Sequence, residues 1–256
     1  MLIDSHAHIY DELFLPEGGA QTIIDGMKKD KLEYIVCVGC DVPTSRQCVK
    51  LADNHGNIYA TVGVHPYYPE TVTPENLKIL AELAKNKKVV AIGEFGLDFH
   101  REGSPRELQM QAMKAQYDLA RELELPQVYH IRDGYGEFTD FIRTRDFPNG
   151  AILHCFSSSA EVAEIAVKKG FYVSFSGTLT YRNAKNLHRA AEAVPLDRLL
   201  VETDSPYLVP AGAETELNYP RNVALVAKKL AELKGVSYAE IEKATNANTK
   251  RAFNIE

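Results

Sequence analysis

The feature that most constrains this chain is an alternation. Short apolar runs, rich in Val, Ile, Leu, Tyr and Phe, recur at residues 2–5, 34–38, 58–62, 89–93, 127–130, 151–154, 172–175 and 199–202. Runs this short and this apolar read as strands covered on both faces. Amphipathic helical segments lie between them, several with legible starts. Ser104-Pro105-Arg106-Glu107 combines a capping box with proline at the first helical position. Thr73-Pro74 opens a segment through Asn86, Ser158-Ser159-Ala160-Glu161 is a second box, and Ser237-Tyr238-Ala239-Glu240 opens a last helix towards Phe253. Gly170 after Lys168-Lys169 reads as a helix stop. Repeated strand–helix units imply parallel pairing. Eight of them in 256 residues predict an α/β fold, a single-domain (β/α)8 TIM barrel over residues 1–256. An open doubly wound sheet is the alternative, but no GxGxxG or GxxxxGK[ST] follows a strand to support it.

Composition narrows the function classes. The chain carries 29 Lys and Arg against 35 Asp and Glu, a net charge of −6. That balance argues against a protein that coats nucleic acid, though not against an enzyme that binds phosphates locally. Four cysteines, Cys37, Cys40, Cys48 and Cys155, are too few for a disulfide framework. Cys37 and Cys40 form a CxxC, but Cys37 lies in an apolar run and no second CxxC exists. Packed or loop thiols are the expected reading, with a redox or metal role as the lesser one. The N-terminus has neither a basic nor an apolar leader pattern, and no apolar stretch is long enough to span a membrane. A cytoplasmic enzyme is the expectation.

The polar residues that carry chemistry sit at the C-terminal ends of the candidate strands, where a barrel gathers its catalytic groups. His6 and His8 end the first run; two residues apart on a strand, they share a face. Glu94 follows the fourth run, His130 ends the fifth, His154 ends the sixth and Asp204 follows the eighth. Taken singly, each is as well explained by a hydrogen bond or a salt bridge in a half-buried position. Jointly, four imidazoles and two carboxylates suit one or two divalent ions. Zn, Mg, Mn, Ni and Fe all tolerate such a mixed set, so the metal is left open among them. His65, after the third run, faces the same end and is a candidate substrate contact. His100 is a candidate for the mouth, whereas His55 and His188 are expected in solvent. No GxSxG elbow appears. Cys155 adjoins His154, and neighbours on a strand point opposite ways, so a Cys-His couple is not expected.

Read together, Asp4-Ser5-His6-Ala7-His8, Gly63-Val64-His65-Pro66, Gly93-Glu94-Phe95-Gly96-Leu97-Asp98, His154-Cys155-Phe156-Ser157 and Glu202-Thr203-Asp204-Ser205-Pro206-Tyr207-Leu208 resemble the TatD family of metal-dependent deoxyribonucleases, in the amidohydrolase superfamily. The resemblance implies hydrolysis of DNA phosphodiester bonds, 3′ to 5′, on ends or single strands. It also implies one ion on His6, His8 and Asp204, a second on His130 and His154, and Glu94 bridging them. Asp204 is then the candidate general base. His65 and Arg132, with Arg182 or Arg221, are candidates for holding phosphates, and Tyr67, Tyr68, Tyr181 and Tyr207 for stacking on bases.

Two segments depart from the family pattern. His130-Ile131-Arg132-Asp133-Gly134 ends in Gly where Ala is usual, and 211–217 replaces an Arg-Gly segment with one carrying Glu214 and Glu216. The second change keeps a rival open: a deacylase, esterase or amidohydrolase on another substrate, such as D-aminoacyl-tRNA. A binding protein that has kept only the fold is a third reading, against which the complete ligand set argues. DNA is the expected partner, no membrane is involved, and a monomer is compatible with the sequence.

Overall fold

The structure, a computed structural model, describes residues 1–100 and 105–255. Among these residues the eight apolar runs form eight parallel strands: β1 (Leu2–Ala7), β2 (Leu32–Val38), β3 (Ile58–Val62), β4 (Val89–Asp98), β5 (Gln127–Arg132), β6 (Ala151–Leu153), β7 (Tyr172–Phe175) and β8 (Leu199–Val201). Each pairs with the next in sequence order. The ring closes where the chain beyond β8 runs beside β1. There the Asp204 N–H donates to the His6 carbonyl at 2.9 Å and the His8 N–H to the Ser205 carbonyl at 2.8 Å. The result is the expected single-domain (β/α)8 barrel rather than an open sheet.

Nine α-helices are present among the described residues: α1 (Gly19–Gly26), α2 (Val42–Asn54), α3 (Pro74–Leu83), α4 (Arg106–Glu122), α5 (Tyr135–Arg143), α6 (Ala160–Lys168), α7 (Lys185–Ala193), α8 (Val223–Lys234) and α9 (Tyr238–Ala252). Thr73 caps α3 by accepting from the Asn76 N–H, and Ser237 and Glu240 close a reciprocal box on α9. Three boundaries differ from the sequence expectation. α3 stops at Leu83, short of Asn86. Pro105 occupies the cap position of α4 rather than its first turn, and Ser104 lies outside the described residues. α6 is capped at Ser159, so Glu161 falls one residue too early to complete a box, and no side-chain cap bond forms.

Inside the barrel, Val36, Val38, Val90, Val128, Ile152 and Leu200 form a buried cluster that also takes in Phe253 and Ile255 from the chain's C-terminal end. The Lys250 ammonium, 2.6 Å from the Glu33 carboxylate, and the Asn246 amide, donating to the Met1 carbonyl at 2.9 Å, hold α9 against the starts of β1 and β2. One end of the barrel is thereby plugged. The strand C-termini open at the other.

Candidate metal centre

At the open end lies a cavity of about 720 Å³, lined by His8, His65, Glu94, His130, His154 and Asp204 among others, within the size range of small-ligand sites. The alternation of β1 turns His6 and His8 inward. Asp4, two residues earlier, accepts from the Thr203 N–H at 2.9 Å and from the Thr203 hydroxyl at 2.5 Å, tying β1 to the loop after β8. Burial raises the Asp4 carboxyl to a pKa of about 8. Asp204 itself is left-handed at φ 57°, a region that Asp tolerates better than most residues. β4 continues past Glu94 to Asp98 because Gly96, at φ 150°, lies flush against β5; an added Cβ there would overlap the His130 carbonyl oxygen.

Glu94 divides the site. Its Oε1 lies 3.4 Å from His6 Nε2 and 3.4 Å from His8 Nε2. Asp204 Oδ1 is 3.7 and 3.3 Å from the same two nitrogens. Its Oε2 faces the other way, 2.9 Å from His154 Nε2 and 3.3 Å from His130 Nδ1, which are themselves 2.9 Å apart. The outward nitrogens are occupied. His8 Nδ1 lies 2.9 Å from the Val38 carbonyl, His130 Nε2 3.1 Å from Asp98 Oδ2, and His154 Nδ1 3.2 Å from Glu202 Oε1. Each of these oxygens accepts, which puts the ring proton outside and the lone pair inside, the tautomer a metal ligand needs. Both ring nitrogens of His6 are buried without a hydrogen-bond partner, as is Glu94 Oε2, an expensive arrangement for polar atoms left alone. A four-coordinate ion with bonds of about 2.1 Å sets its ligand atoms about 3.4 Å apart, so the spacings among His6, His8, Glu94 Oε1 and Asp204 fit a bound cation.

The charges point the same way. Burial opposes protonation of His154, but Glu94 and Glu202 outweigh it and hold the imidazole well above its usual range. His8 and His130 are also raised against burial, the latter by Asp98 and Glu94. His6 is pushed down by burial and by His154, and His65 to about 3 by burial and His130. Burial likewise opposes ionisation of Glu94 and Asp204, but the surrounding histidines hold both below the ordinary carboxylate range. Two carboxylates have gathered positive charge around them, and that is the charge a divalent ion supplies when the protons leave.

The structure brings together all six residues read as ligands and sets His65 beside them, its Nε2 4.0 Å from Glu94 Oε2. Arg132 lines the cavity from the end of β5, and Tyr67, Tyr68 and Tyr207 line its mouth. The other candidates do not join them. Tyr181 donates to the Val209 carbonyl, and Arg221 stacks on Tyr219 in a separate groove. His100 pairs with Asp133 at the surface. His188 is not free in solvent: its Nε2 contacts the Leu179 carbonyl at 2.9 Å. β6 ends at Leu153, so strand alternation does not separate His154 from Cys155, and both line the cavity. Sequence reasoning assigned no role to Asp98 or Glu202, the carboxylates that orient His130 and His154. Glu202 carried the signal used for Glu94, a carboxylate closing an apolar run. Asp98 did not, because β4 was expected to end at Gly93.

A (β/α)8 barrel whose C-terminal mouth holds a carboxylate shared between two sets of histidines defines a metal-dependent hydrolase of the amidohydrolase superfamily. Residues 3–254 match the family model for TatD-related DNases. The chain belongs to the TatD family. It is 39% identical over 256 residues, covering all of both chains, to the Bacillus subtilis (strain 168) protein named Uncharacterized metal-dependent hydrolase YabD. It is 33% identical over 227 residues, 86% of this chain and 87% of the other, to the 3′-5′ ssDNA/RNA exonuclease TatD of Shigella flexneri serotype 5b. The crystal structure of YjjV, a TatD homologue from Escherichia coli K12, superposes with a TM-score of 0.92 at 29% identity, covering 100% of this chain and 98% of that one. No helix among the described residues is long and apolar enough to cross a membrane.

Proposed function

We propose that this hydrolase is a deoxyribonuclease that shortens DNA from the 3′ side, acting on ends or single strands. The observation that carries the proposal is the division of Glu94: one oxygen faces His6, His8 and Asp204, the other His130 and His154. In this reading the first set would hold one divalent ion and the second set another, with Glu94 offering one oxygen to each. Ions held there would acidify water and polarise a phosphoryl oxygen.

The chain supplies the rest. Asp204 is the more exposed of the two inner carboxylates, its side chain 14% accessible against 3% for Glu94. It faces the cavity and takes the proton of the attacking water. Hydrolysis breaks the bond from phosphorus to the 3′ oxygen, leaving a new 3′-hydroxyl and a nucleoside 5′-monophosphate.

His65 has a different part from its neighbours. Its Nδ1 accepts from the Tyr67 N–H at 3.1 Å, so the neutral ring carries its proton on Nε2 and presents a donor where His8, His130 and His154 present lone pairs. That donor suits a phosphate oxygen. Arg132 offers a second contact at the rim. Tyr68 and Tyr207, 41% and 48% exposed, offer faces on which bases stack.

Metal content and DNA cleavage measured on one preparation, wild type beside Glu94→Ala, test the proposal. The expected result is up to two ions per chain and 3′-end shortening of single-stranded DNA that the substitution abolishes. Bound metal with DNA untouched overturns the nuclease and moves the same centre to ester or amide substrates, D-aminoacyl-tRNA among them.

A further inference from the structure

Cys40 has no place in the scheme so far, yet its thiol reaches the metal centre. Its Sγ lies 3.5 Å from Glu94 Oε1 and 3.7 Å from His8 Nδ1, and the sulfur, a His8 ring nitrogen and a Glu94 oxygen all fall within 4.8 Å of one another. The residue is firmly held. Its N–H donates to Thr44 Oγ1 at 2.9 Å inside the capping box of α2, and its carbonyl accepts from the His65 N–H at 2.8 Å. The Tyr10 hydroxyl donates to the sulfur at 3.6 Å, and the thiol in turn donates to Glu94 Oε1, with the proton that an ion between the two would displace. A second observation points to a ligand in the same place: His6 Nε2, fully buried and without a hydrogen-bond partner, is aimed at the same Glu94 Oε1 from 3.4 Å away. An ion bonded to sulfur at about 2.3 Å and to a carboxylate oxygen at about 2.0–2.2 Å sets those two atoms about 3.5 Å apart, the separation seen here.

We propose that Cys40 is a sulfur donor to the ion held by His6, His8, Glu94 and Asp204, and that it biases this position towards a soft ion such as zinc over manganese or magnesium. As the sulfur–metal bond forms, the thiol proton passes to solvent. The inference rests on the reading of that quartet as an ion site. The other cavity thiol does not compete: Cys155 Sγ is turned to Ser176 Oγ at 3.1 Å. Nor do Cys37 and Cys48, whose sulfurs face each other 3.2 Å apart in the core.

Cobalt(II) as the only metal tests this without reference to turnover. Loaded wild-type protein and Cys155→Ser are expected to show a near-ultraviolet sulfur-to-cobalt charge-transfer band. Cys40→Ser, at equal cobalt content, is expected to lack it. Zinc affinity is expected to fall about 10–100-fold in Cys40→Ser while manganese affinity stays within about twofold. Cobalt bound to wild type with visible d–d bands but no charge-transfer band overturns the role of Cys40 and leaves the ion site standing, whatever the variants do. A band that survives Cys40→Ser does the same. Failure of wild type to bind cobalt overturns both.

Discussion

The two ends of this barrel are built from the same strands and obey opposite rules. At the plugged end, Phe253 and Ile255 complete an apolar cluster, and Lys250 pairs with Glu33 and Asn246 with the Met1 carbonyl. At the open end, buried histidines and carboxylates crowd within 3–4 Å, and some of their atoms have no partner. The pairs at the first end are made by the protein alone. The second leaves buried atoms of His6 and Glu94 unpartnered, in clusters that suit divalent ions. The contrast separates the part of the sequence that makes the barrel stable from the part that makes it reactive, and substitutions at the two ends should therefore have different signatures.

The largest effect is expected at the open end. Asp204→Asn should lower turnover by about 10²–10⁴-fold while the protein stays folded by circular dichroism; full activity in this variant removes Asp204 as the base. At the plugged end, Phe253→Ala should cost about 3–5 kcal/mol of stability and leave metal content per folded chain unchanged. Denaturant titration beside metal analysis reads both, and a parallel loss of metal would mean that the ends are coupled.

Next in size is Glu202→Gln. It keeps the shape but removes the charge that holds His154 Nδ1, and should weaken metal binding by about 10–100-fold. An unchanged dissociation constant would reduce Glu202 to packing.

The smaller effects concern protons and salt. Without ions, folding raises the pKa values of His8, His130 and His154 and brings Asp4 to about 8, while His6 and His65 shift the other way. On balance the folded chain holds the more protons. Between about pH 6.5 and 8 this stabilisation fades as pH climbs through the raised values, and below the usual histidine range the lowered values of His6 and His65 work against it. The Tm of metal-free protein should therefore rise as pH is lowered from about 8 to about 6.5. In the metal-loaded protein protons compete with the ion, and the Tm should fall over the same interval. Equal slopes would sink the assignment of these histidines as ligands. Last, Arg132 is the one Lys or Arg lining the cavity among the described residues. Arg132→Met should reduce the salt dependence of single-strand binding by a log–log slope of about 0.7.

Much of the open end was legible beforehand because the barrel converts position along a strand into position in space. Once the apolar runs were placed, His6, His8, His130 and His154 had one end to go to. What stayed hidden depends on contacts between strands and the turns that follow them. The Gly-rich stretch Gly93-Glu94-Phe95-Gly96 broke the apolar run, concealing both the length of β4 and the reach of Asp98 to His130. Cys40 follows β2 with nothing in its spacing to place it beside His8, 32 residues away; only the pairing of β1 with β2 does so. The proton position on His65 is fixed by a turn through Tyr67, which composition and periodicity do not report. The helix starts erred by a residue where several serines in a row offered rival caps.

The seam that closes the ring is also where the centre is assembled: the His6 carbonyl receives the Asp204 N–H, and their side chains converge a few ångströms away. The two halves of the clasp come from opposite ends of the barrel's strand order, His6 on β1 and Asp204 just beyond β8. A chain cut short of Asp204 keeps its histidines and Glu94 yet lacks both the clasp and the carboxylate that faces His6 and His8.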